Sequence, residues 1–153
     1  MNLAEWEENI PNVLREDALW TVKAYRLALF LSDIAWNDVV KLSNITGMRS
    51  LSDQLYRSAG SICANIEEGY SKLSAKDRAR FYEYALGSAR ETRGWFYRSR
   101  HVLGDEVALY RLNLLTEIIK LLLTMVPDQR SPKVNELEVE YVVKGILNME
   151  ESV

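Results

Sequence analysis

Apolar residues recur along this chain at helical spacing in four long stretches, separated by short polar or glycine-bearing breaks, with no strand-like alternation between them. The first stretch runs from near Val13 to near Ser43 and includes Leu19, Val22, Leu27, Phe30, Ile34 and Val39. Asn44 to Gly47 closes it loosely, and Ser50-Leu-Ser-Asp53 has the form of a capping box that opens the second helix. Gly69, suited to the left-handed conformation that follows a helix, is expected to end it. Ser74-Ala-Lys-Asp77 repeats the capping pattern and opens a third helix that runs to Gly104. Asp105 caps a fourth that Pro127 terminates. Short connections make consecutive helices antiparallel neighbours, so the predicted fold is all-α, an up-down-up-down four-helix bundle. Beyond Pro132, residues Val134, Leu137, Tyr141, Val142, Gly145 and Ile146 share a face and allow an additional C-terminal helix. The implied organisation is an N-terminal extension at 1–12, the bundle at 13–127, and a linker with the additional helix at 128–153.

The second helix carries two stripes. Leu55, Ala59, Ile62 and Ile66 form an apolar row, while Gln54, Ser58, Ser61, Asn65 and Glu68 form a polar one on another face. Solvent faces usually carry long charged side chains, so a row of short polar ones indicates close packing or a hydrogen-bond network. Arg57 on this helix is expected to pair with Glu91 on the third, supported by Ser58, Ser61 and Ser88. Glu68 stands against the negative end of its helix and should have a specific partner, such as a backbone N–H of the following loop.

The first helix is apolar around much of its circumference, through Tyr25, Leu27, Ala28, Leu29, Phe30, Leu31, Ile34, Ala35 and Trp36. Such a helix has more than one face to bury, which points to a well-filled core or to subunit contacts. Four tryptophans and eight tyrosines add to the supply of interfacial rings.

Composition narrows the function classes. With 153 residues, 48% of them hydrophobic, the chain is long enough for a single domain with a sizeable core. The one cysteine, Cys63, excludes an intramolecular disulfide framework and reads as a small buried residue. No secretory signal is visible, and Leu114 to Val126 is too short and too charged to span a bilayer, so a cytoplasmic location is expected. The single histidine, His101, stands in no metal-ligand spacing, and no P-loop, HExxH, GxSxG or paired-cysteine motif occurs. Neither a catalytic apparatus nor a cofactor or metal site is indicated. A bundle enzyme with scattered carboxylates would need convergent polar groups that the sequence does not announce.

Charge is uneven: residues 1–48 carry −3, 49–100 carry +4 and 101–153 carry −4, within a net charge of −3. Projected at about 100° per residue, Phe81, Ala85, Thr92, Phe96 and Leu103 share one face of the third helix. Lys76, Arg80, Arg90 and Arg98 lie opposite with Gly87 and Gly94 between them, and Arg93 stands nearby. Arginines over a bare glycine strip suit a phosphate backbone, which they pair bidentately. The competing account is an ordinary solvated face, with Glu83 among its charges. These five basic residues are the candidate nucleic-acid contacts.

Two linked motifs carry a family resemblance. Gln54-x-x-Arg57-Ser58 followed by Ser61-Ile62-x-x-Asn65-Ile66-x-Glu68-Gly69, and then Phe81 with Tyr84-Ala85-x-Gly87-Ser88-x-x-Glu91, resemble the signature of the four-helix-bundle family of 23S rRNA intervening-sequence proteins. That family includes the accessory variability proteins of diversity-generating retroelements. The resemblance implies a ring-forming homo-oligomer, commonly a pentamer, and for the accessory proteins a basic barrel that binds a reverse transcriptase and nucleic acid. This chain departs from those relatives in its acidic composition, in Asn44 to Arg49 where the family has a Phe-Pro turn, and in its tail after Pro132. The expected function is a non-enzymatic homo-oligomeric binding or scaffold protein for structured RNA or a nucleic-acid enzyme. The alternative is a protein-only assembly module that binds another polypeptide through aromatic and C-terminal surfaces.

Overall fold

A computed structural model describes residues 2–130 of the chain, and the expected C-terminal helix lies outside these. The described residues form α1 (Leu3–Asn9), α2 (Asn12–Arg15), a 3₁₀ turn (Ala18–Thr21), α3 (Lys23–Ser43), α4 (Arg49–Tyr70), α5 (Ala75–Leu103) and α6 (Asp105–Arg130), with no strand among them. The four long helices are α3 to α6. Each packs on the next, and α6 returns to α3 to close an up-down-up-down bundle. The centre is filled by Ala28, Leu31, Leu42, Leu55, Ile62, Ile66, Phe96, Leu115, Ile118 and Leu122, all buried.

The amino terminus departs from the sequence expectation. No single helix runs from Val13 to Ser43; three short turns precede α3 instead. Asn2 caps α1 reciprocally with Glu5, Pro11 follows the break at Ile10, and the Asp17 carboxylate accepts the Leu19 N–H at 2.8 Å to hold the 3₁₀ turn. This segment folds back on α3. Trp6 is buried, packs on Phe30 at 5.4 Å and on Trp20 at 6.1 Å, and donates its indole N–H to Asp33 at 2.7 Å. Arg26 ties the segment down through Glu7 at 3.0 Å and the Trp20 carbonyl at 2.7 Å. The second apolar face of α3, at Phe30 and Ile34, is therefore covered from within the chain.

Three helix ends also differ. The Ser50–Asp53 capping box does not form: Gly47, at φ +84°, turns the chain, and α4 starts at Arg49 behind an uncapped Met48. Gly69 does not end α4 but lies buried inside it. A Cβ there would stand 2.8 Å from a ring carbon of Tyr82, so glycine serves close packing of α4 on α5. Pro127 lies within α6, which continues to Arg130. Proline removes one ladder hydrogen bond there without ending the helix, and Arg78 of α5 donates to Gln129 at 2.7 Å, holding the last turn to the bundle. Ser74 caps α5 as its motif predicts, accepting the Asp77 N–H at 3.0 Å, and Gly104 ends it at φ +91°.

Candidate nucleic-acid interface and the helix-pair signature

Ala79, Tyr82, Ala85, Ala89, Thr92, Phe96, Ser99 and Leu103 turn α5 into the bundle. Its opposite side is exposed and carries Lys76, Arg80, Tyr84, Gly87, Arg90, Glu91, Tyr97, Arg98 and His101, while Arg93 is half-buried on the flank. A Cβ at Gly87 would meet nothing within 4 Å, and one at Gly94 would meet only the tip of Arg98 at 4.0 Å. The strip between the arginines is open backbone.

The candidate cations differ in what they touch. Arg80 lies 3.3 Å from Asp77 and over the Phe81 ring at 5.5 Å, and Arg98 lies over Trp95 at 4.6 Å. No ion pair joins Lys76, Arg90 or Arg93 to another described residue. Carboxylates intrude at half-buried Glu83 and exposed Glu91. Phe81 is half-buried, flanked by Lys72 at 5.0 Å and Tyr84 at 5.6 Å, rather than sharing the core with Phe96. Arg78, two residues before the candidate Arg80, is structural: it also donates to the carbonyls of Lys72 at 2.8 Å and Leu73 at 2.7 Å.

The α4 signature resolves into a small network. Ser88 donates to Ser61 at 3.0 Å across the helix pair, and the Asn65 amide donates to the Ser61 hydroxyl at 3.0 Å and carbonyl at 2.8 Å. Ser58 is buried and donates to the Leu55 carbonyl at 3.1 Å. The expected Arg57–Glu91 pair does not form. Both side chains are exposed, and Glu91 accepts the Trp95 indole N–H at 3.2 Å instead. Small residues at the seam bring α4 and α5 together and leave long side chains at its edge to turn outward. Gln54 is likewise exposed, and Glu68 pairs with Lys72 one turn on rather than with a loop N–H.

A largely buried ion pair lies elsewhere, where no motif announces it. Arg111 of α6 donates to Asp38 of α3 at 2.8 and 3.4 Å, with side-chain exposures of 15% and 9%. The residues are too far apart in the chain for helical spacing to relate them. Cys63 is buried, and burial, assisted by the Glu67 charge, pushes its thiol up to about 12. Among the described residues no group of three or more His, Cys, Asp or Glu is placed to hold a metal, and no helix is long and apolar enough to cross a membrane.

The family model for 23S rRNA-intervening sequence proteins matches residues 22–124, which is α3 to α6 almost end to end. The chain belongs to this family. A solved member-like structure agrees: the protein of unknown function from the S23 ribosomal protein family of Bacteroides thetaiotaomicron VPI-5482 is 29% identical, with a TM-score of 0.63 over 67% of this chain and 97% of its own. No curated protein matches. For this 23S rRNA-intervening sequence protein the match begins at Val22, after the segment that packs Trp6 on α3.

Proposed function

We propose that this family member is a non-enzymatic, homo-oligomeric binding or scaffold protein whose α5 face contacts the phosphates of structured RNA. The observation that carries the reading is the open strip at Gly87 and Gly94, bordered by Lys76, Arg80, Arg90 and Arg98 and flanked by Arg93. A phosphate chain approaches bare backbone closely, and guanidinium groups on either side pair with it. A nucleic-acid enzyme such as a reverse transcriptase is the partner that a scaffold of this type would bring to the same RNA. Assembly concentrates the field: several copies with α5 turned toward a common axis multiply a local charge that the chain's net −3 conceals. A cytoplasmic site of action follows from such partners.

Self-association is supported by an apolar surface outside the bundle. Trp36 is 55% exposed and meets Tyr56 edge-on at 5.8 Å, beside a groove of about 300 Å³ lined by Ile10, Leu14 and Leu29. A pentamer would have five times the 17.6-kDa mass of the chain in light scattering. The same surface supports the second reading, a protein-only assembly module.

Titration of the purified protein into fluorescent structured RNA at several salt concentrations tests the reading by anisotropy. Binding should weaken steeply with salt and disappear in Arg80→Glu/Arg90→Glu at unchanged assembly mass. An unbound wild type at low salt would leave the protein-only module.

A further inference from the structure

Building on that reading of the α5 face, we infer that Tyr84 and Tyr97 are stacking platforms for unpaired bases, so that the face takes the single-stranded stretches of a structured nucleic acid in preference to its duplex stems. Both rings are more than half exposed, at 52% and 55%, on the same outer side of α5 as the arginines. Among the described residues, neither ring belongs to the hydrophobic core.

The rings are held rather than loose. Tyr84 meets Phe81 edge-on with centroids 5.6 Å apart. The Arg100 guanidinium lies 4.0 Å from the Tyr97 centroid and donates to the Tyr97 carbonyl at 2.8 Å. Prior immobilisation lowers the ordering cost when a flat ligand lands on them. A cation over one face of Tyr97 leaves the other for a base, the same aromatic and arginine chemistry that single-strand binders use.

Their placement fits a strand. Tyr84 and Tyr97 lie about 20 Å apart along the helix and on opposite borders of the strip that holds Arg80, Gly87, Arg90 and Arg98. Phosphates seated on the strip place non-adjacent bases of one strand over its two borders, where the rings stand. Bases in a duplex are stacked on one another and offer their faces to nothing outside. Base and phosphate are common to RNA and DNA, and no group on this strip is assigned to a 2′-hydroxyl.

The test compares three fluorescein-labelled probes: a short single-stranded RNA, the DNA strand of the same sequence, and the RNA duplex of the same length. Wild type should bind the two single strands alike and more tightly than the duplex. Tyr84→Leu and Tyr97→Leu should each weaken single-strand binding about tenfold, with duplex binding and the salt slope unchanged. Tyr84→Phe/Tyr97→Phe, which keeps the rings, should bind like wild type. Duplex binding as tight as single-strand binding, Leu variants that bind like wild type, or a strong preference between RNA and DNA would overturn the stacking assignment while leaving phosphate contact intact. Absence of binding by wild type to every probe at low salt would overturn both.

Discussion

Where α3 meets α6, a carboxylate and a guanidinium pair with little exposure to solvent; where α4 meets α5, small hydroxyls and an amide bond to one another at a half-open seam and the long charged residues turn outward. Asp38 and Arg111 answer each other's burial with two hydrogen bonds, so neither tolerates loss of the other. Ser61, Asn65 and Ser88 form shorter-reach bonds at half-buried positions, and Arg57 and Glu91 have left the seam altogether. A charge pair is an expensive way to join two helices and a signature of small polar residues is a cheap one. The cheap seam lets α4 and α5 approach closely, and it is the one that abuts the candidate binding face.

The largest test of this contrast is Asp38→Ala. It strands the Arg111 guanidinium in a 15%-exposed site, and unfolding by urea should report a loss of about 3–5 kcal/mol. Gly69→Val strikes the other seam sterically, because its first side-chain carbon meets Tyr82 at 2.8 Å and the Phe81 Cβ at 3.1 Å. A loss of about 1–3 kcal/mol is expected, and recovery in a Tyr82→Leu background would place the clash at that ring. Ser61→Ala removes the acceptor shared by Ser88 and Asn65; denaturation midpoints should fall by an amount equivalent to about 0.5–1.5 kcal/mol. Arg57→Ala and Glu91→Ala should change stability by less than about 0.5 kcal/mol, singly or together. A double-mutant cycle that returned strong coupling between these two would contradict their separation.

The long helices were legible because each is written by a sustained 3.6-residue period, and because Ser74 and Gly104 act locally at the two ends of α5. Local signals failed where tertiary contacts decide. The apolar pattern from Val13 into α3 reads as one helix, yet Asp17 caps a separate 3₁₀ turn within it and Trp6 packs back onto Phe30. Spacing put Ser61 and Asn65 in one polar row of α4, and in the fold both bond through the Ser61 hydroxyl, which also takes the Ser88 hydroxyl of α5, since short side chains can only reach a near neighbour. It could not say where the longer Arg57 and Glu91 would point. Asp38 and Arg111 share no element and no spacing, so their pairing waits on the fold. On α5 the basic positions were visible from periodicity; the exposed tyrosines among them carried the same signal, on the same outer side of the helix.

Cys63 gives the bundle a built-in clock. It is the chain's one thiol, it is 6% exposed, and its surroundings suppress the reactive thiolate. A thiol reagent therefore waits for α4 to come away from its neighbours, and the rate at which a single label appears counts those openings. Occupation of the α5 face by a ligand would slow that clock from the far side of the helix pair, without any probe having been added to the surface where the ligand sits.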